Sequence, residues 1–131
     1  MLRVLATLWL LQLLLQIYLA AGFITGNVGW FNYHSLNGFM INFLPSVMLI
    51  VAVLHATVAR GRWWPVLWSL LAILVGSVQM VLGAARSVAA HIVGGSVLLG
   101  LAVLGCVLFW RHHYQPRPAK KSAPVAAQVG S

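Results

Sequence analysis

Four long apolar stretches follow one another along the chain, separated by short segments rich in turn-forming, aromatic or basic residues. They run from about Val4 to Ile24, His34 to Val58, Val66 to Ala85 and Ser87 to Trp110. At ~1.5 Å rise per residue, ~20 helical residues cross a hydrocarbon core of ~30 Å, so the pattern predicts four membrane-spanning helices. Between the first two lies Gly-Asn-Val-Gly-Trp-Phe-Asn-Tyr (26–33), a turn-rich loop with interfacial aromatics. Ala59 to Pro65 holds Arg60, Arg62, Trp63 and Trp64, and Arg86 with Ser87 makes a very short turn. Pro45 is expected to kink the second span, which neighbouring helices tolerate in a membrane. The bundle is expected to occupy residues 1–114, and 115–131, a tail of Pro, Ala, Lys and Gln, is expected to be disordered.

Polar positions inside the apolar stretches recur in a pattern. His34 and Gly38 open the second span; His91 and Gly95 open the fourth with the same spacing, each pair offset by 57 residues. Gln16 in the first span has a counterpart in Gln79 of the third, at an offset of 63, the second outer turn being six residues shorter. The expected fold is an all-α polytopic four-helix bundle built from two tandem two-helix repeats, each presenting one histidine.

Composition narrows the chemistry. With 62% hydrophobic and 6% charged residues, and a mean hydropathy of +0.96, a water-soluble fold would lack the polar surface to cover itself. Eight Lys and Arg stand against no Asp or Glu among 131 residues. The chain's own side chains therefore offer no carboxylate pair, acidic proton relay, oxygen-ligand Ca²⁺ or Mg²⁺ site, or Ser-His-Asp triad. The single cysteine, Cys106, rules out an internal disulfide and a Cys-x-x-Cys-His attachment, so any haem would be held non-covalently.

Arg3, Arg60, Arg62, Arg111, Arg117, Lys120 and Lys121 all fall on one side of the four spans. The positive-inside rule makes that side cytoplasmic, with both termini, and puts His34 and His91 in the outer half beside Arg86. The leucine-rich start and Ala20-Ala21-Gly22 also fit a cleavable signal peptide; the length of the apolar run and the match of Gln16 to Gln79 favour a retained helix.

Two neutral imidazoles facing each other across a helical bundle are a usual way to hold a b-type haem, one on each axial position of the iron. The glycines Gly38, Gly95 and Gly94 would make room for the macrocycle, Arg86 would neutralise its propionates, and Trp30, Phe31 and Tyr33 would cover its edge. Gln16 and Gln79 would either hydrogen-bond the cofactor and its ligands or, as with Gln12, join helices to one another. The blander alternatives are packing for the glycines and interfacial positions for single histidines. His55 and His112 also differ by 57, but a second haem there is disfavoured because His55 lies ~31 Å along the helix from His34, at or beyond the hydrocarbon boundary. Trp63, Trp64, Trp68, Trp110 and Tyr114 read as an inner aromatic belt, and the basic tail as an attraction to anionic membrane lipid rather than to nucleic acid.

A helix with Gln and small residues, an outer turn, a helix opening with His-x-x-x-Gly, and the same again resembles one half of heme A synthase. It is also similar to small four-helix bacterial membrane proteins that carry only this half, and more loosely to the transmembrane cytochromes b. The resemblance spans about Leu10 to Trp110 and implies His34 and His91 as axial ligands of haem b. Heme A synthase has two halves and an acidic residue near its catalytic haem; this chain has one half and no acid. The resemblance therefore implies haem binding or electron transfer, at most as an oxidoreductase subunit working with a quinol or a respiratory assembly in a bacterial inner membrane. A cofactor-free membrane scaffold or assembly subunit is the rival expectation, and a transporter would need oligomerisation to form a pathway.

Overall fold

The computed structural model describes residues 1–112; the expected tail lies outside the described residues. Five α-helices form the four spans: α1 (Leu2–Ile24), α2 (Trp30–Phe39) continued through a 3₁₀ turn (Met40–Asn42) into α3 (Phe43–Thr57), α4 (Trp64–Ala84) and α5 (Val88–Arg111). All four spans are long and apolar enough to cross a membrane, and no strand occurs among the described residues. α1, α3, α4 and α5 pack as a ring in which each touches the next, and α2 leans chiefly on α1. The protein is a four-span helical bundle.

Its interior is made of small side chains. Ala6, Ala52, Ala56, Ala72, Ala102, Gly76, Gly105 and Ser69 are buried, whereas Leu11, Ile50, Leu67 and Leu74 project outward. In lipid there is little hydrophobic reward for hiding a leucine, and close backbone approach through small residues supplies the van der Waals contact that holds helices together. Larger buried groups form two contiguous clusters. Leu2, Met48, Val66 and Phe109 belong to one, at the end where the chain termini meet; Trp9, Leu13, Ile41 and Leu98 belong to the other, in the middle of the bundle.

Burial then stops. No described residue beyond Leu13 on α1, before Ile41 on the second span, beyond Gln79 on α4 or before Leu98 on α5 is buried. The histidine end of the bundle is the less buried one.

The second span begins a turn earlier than expected, at Trp30 rather than His34. Ring contacts explain the extension: Trp30 sits over the bare face of Gly22 and 5.1 Å from Tyr18, and Phe31 lies 5.2 Å from Phe23. These aromatics fasten the first turn of α2 to the last turns of α1, and Tyr33 is exposed.

The break associated with Pro45 falls upstream of it, at Met40–Asn42. A proline has no N–H for the carbonyl four residues before it, here Ile41. The indole Nε1 of Trp9 donates to that carbonyl at 3.1 Å, within the buried core. An unpaired carbonyl in a bilayer is expensive, so α1 supplies what the proline removes.

At the terminal end, Arg3 donates to the carbonyls of Phe109 (3.0 Å) and His112 (3.4 Å) and lies over the ring of Trp110. A cation on the last carbonyls of a helix satisfies orphan acceptors and the negative end of its dipole together. Trp110 Nε1 also donates to Thr7 Oγ1 at 3.1 Å, and Thr7 Oγ1 lies 3.6 Å from Cys106 Sγ. α1 is thus bonded to α5 at one end and to the second span along its length.

Candidate functional site: a histidine pair at the open end

His34 and His91 come together. Their ring centroids are 6.2 Å apart and the ring planes stand at 77°, although the residues are on α2 and α5, which do not pack closely along their lengths. Both side chains are half-buried. The shared offset in the sequence thus corresponds to a meeting in space.

Each ring is anchored in the same way. His34 Nδ1 lies 3.2 Å from the backbone carbonyl of Gln16, and His91 Nδ1 lies 3.0 Å from the backbone carbonyl of Gln79. A carbonyl only accepts, so both Nδ1 atoms carry the proton and both Nε2 atoms keep a lone pair in the neutral rings. The two-helix repeat is therefore a repeat of bonding. The backbone at both glutamines fixes the imidazole tautomer, and at His34 the Gln16 amide reinforces it.

The amides also do other work. Gln16 Nε2 donates to the carbonyl of His34 at 3.0 Å and lies 3.2 Å from His34 Nε2, while Gln16 Oε1 accepts from Asn37 Nδ2 at 2.7 Å. Asn37 Nδ2 also donates to the carbonyl of Gln12 at 3.2 Å. This network ties α2 to α1. On the other side Gln79 is buried, and its amide presses against the Cα of Gly94 where any side chain would collide with it. Gly95 is next to the same amide, and Gly38 faces the amide of Gln16. The glycines seat glutamines. Gly83 similarly lies beneath the His91 ring, a Cβ there falling 3.2 Å from Cε1.

The two halves differ in one respect that bears on chemistry. The Gln16 amide covers the lone pair of His34 Nε2, whereas His91 Nε2 meets no hydrogen-bond partner among the described residues. Arg86, beside the site in the three-residue link between α4 and α5, is exposed with φ +56°. The N–H of Arg86 bonds to the carbonyl of Gly83 and that of Ser87 to Leu82, the pairing that closes a helix through a left-handed residue. Glycine usually fills that place; here an arginine does, which directs a fixed charge to the histidine end.

His55 and His112 occupy separate settings. His55 packs against Gly61, in the link between α3 and α4, and the His112 ring lies 5.6 Å from Trp64. Asn42, which the sequence pattern does not single out, donates to Ser77 Oγ at 2.9 Å and fits against Gly76, joining the second span to α4. Asn37, Gly83 and Trp9 likewise emerge only from the structure. For each, the signal is a polar or bulky residue on one helix matched to a glycine or free carbonyl on another.

No family model, curated protein or solved structure matches the chain. The case for function rests on the geometry of the histidine end.

Proposed function

We propose that the protein binds one b-type haem between His34 and His91 and serves in electron transfer or haem handling. The observation that carries this reading is the pair of imidazoles 6.2 Å apart, each with Nδ1 held on a backbone carbonyl. His34 and His91, with Nδ1 held and Nε2 carrying the lone pair, would be the two residues to hold a haem iron here. A structural zinc ion needs four protein donors, and no cluster of three or more His, Cys, Asp or Glu exists among the described residues. Haem brings four nitrogens of its own and asks the protein for two.

The surroundings fit the same group. Residues from α2 through the first turns of α5 are less buried than the rest of the bundle, and the planar group would have to be seated against that exposed face. Arg86 is the one described Arg or Lys at this end, and it would pair with the propionates in a chain with no acidic side chain to compete. Gln16 would release the His34 lone pair on ligation and keep its bond to the His34 carbonyl, with Asn37 holding its other end. The bound group would supply a one-electron couple; the protein sets its position and shields it.

In this reading the termini face the cytoplasm of a bacterium, because Arg3, Arg60, Arg62 and Arg111 gather at the terminal end. The site then lies in the outer half of the membrane, where a quinol or a respiratory partner would exchange electrons.

The test is a reduced-minus-oxidised absorption spectrum of the detergent-purified protein expressed with adequate haem, beside His34→Ala and His91→Ala. A low-spin b-type spectrum with haem near one per chain is expected, lost or turned high-spin in both variants while helicity is kept. A parent that stays colourless on haem titration would overturn the reading and favour a polar lock between helices in a cofactor-free scaffold.

A further inference from the structure

The opposite end of the bundle holds a second feature, unrelated to the histidine pair. Between α4 and α5, at the end where the termini meet, runs an open groove of about 420 Å³. Trp68, Leu71 and Leu108 are among its apolar walls, and Arg62, Trp64 and His112 also line it. An apolar channel with a basic group beside it has the form of an amphiphile's binding site.

The groove is built from fixed parts. Gly61 is buried against the ring of His55, where no side chain would fit, and its N–H bonds to the His55 carbonyl at 2.9 Å. That folds the link back onto the end of α3 and sets Arg62 at the foot of α4. Across from it, the His112 ring rests on Trp64, which in turn packs 4.6 Å from Phe109, and the His112 carbonyl is held by Arg3. Trp68 reaches onto the bare backbone of Gly105, bringing its indole down to the groove floor.

Charge decides the occupant. No side chain of the chain is a carboxylate, so none can pair with Arg62, and Arg3, Arg60 and Arg111 add to the positive field at this end. We infer that the groove binds one anionic phospholipid, its phosphate on Arg62 and an acyl chain along Leu71 and Leu108 over Trp68. The inference rests on the membrane placement of the four spans and is independent of haem.

Native mass spectrometry of the full chain in detergent, titrated with phosphatidylglycerol or phosphatidylcholine, tests it. One phosphatidylglycerol should be retained in preference to phosphatidylcholine. Arg62→Gln should weaken its binding about fivefold, the worth of one basic group near a lipid surface. Leu71→Trp, which fills the channel and leaves every charge in place, should also reduce retention, whereas Arg111→Gln, at the same end but outside the groove, should have little effect. Equal retention of the two lipids, or equal losses for Arg62→Gln and Arg111→Gln, would overturn the site and leave a diffuse attraction of a basic surface.

Discussion

The two ends of this bundle are built by opposite rules. At the terminal end and through the middle, small residues let helices close on one another, and Trp9, Met48, Leu98 and Phe109 fill what remains. At the histidine end no described side chain is buried beyond Leu13 and Gln79 or before Ile41 and Leu98, and hydrogen bonds do the joining. Buried packing dominates at one end, while directed polar contacts, helped by the rings of Trp30 and Phe31, dominate at the other. Hydrogen bonds specify the positions of the two imidazoles at an end where few side chains are buried.

That contrast can be broken most sharply with two phenylalanines. Phe109→Ala, in the fully packed end, should lower stability in detergent by about 3 kcal/mol, because the cavity it leaves cannot close. Phe39→Ala, 68% exposed at the histidine end, should leave the unfolding midpoint unchanged. Equal effects in a denaturation series would show that the two ends pack alike. Trp9→Phe comes next. It removes the N–H given to Ile41 together with part of the buried indole, and should cost about 1–2 kcal/mol for the orphaned carbonyl in addition to the cavity left by the smaller ring. Replacing Pro45 by alanine in the same background should restore much of the carbonyl's share, since the helix then supplies its own donor. The smallest effect is expected from Asn37→Ala, about 0.6 kcal/mol for an interhelical hydrogen bond in a membrane protein. Its informative readout is spectroscopic: freeing Gln16 should change the ease with which His34 ligates added haem, seen as a shift in the low-spin fraction.

Much of this architecture is legible in the residues alone, because membrane spans are signalled by continuous apolar length and need no knowledge of neighbours. The meeting of His34 with His91 follows from a repeat, since equal offsets in equivalent helices place equivalent residues at one level. What the pattern does not carry is the register between helices. The start of α2 at Trp30 depends on Gly22 lying opposite it, and the seat of Gln79 depends on Gly94. Gly38, Gly94 and Gly95 are legible as places without side chains, and the sequence suggests space for a macrocycle; the structure places glutamine amides against them. Pro45 announces a disturbance, but its location at Met40–Asn42 is set by the carbonyl it strands and by a tryptophan 32 residues earlier in the chain.

The bond from Trp9 to Ile41 also constrains how the chain assembles. A segment containing Pro45 that entered lipid by itself would carry a bare carbonyl at membrane depth, whereas α1 contains no proline and closes its own backbone bonds. Synthesis runs from the N-terminus, so the helix that owns the donor is made before the helix that needs it. The order of the elements thus makes the first hairpin the unit of insertion, and a version with its two spans exchanged would have to thread the proline-bearing span into the bilayer ahead of its partner.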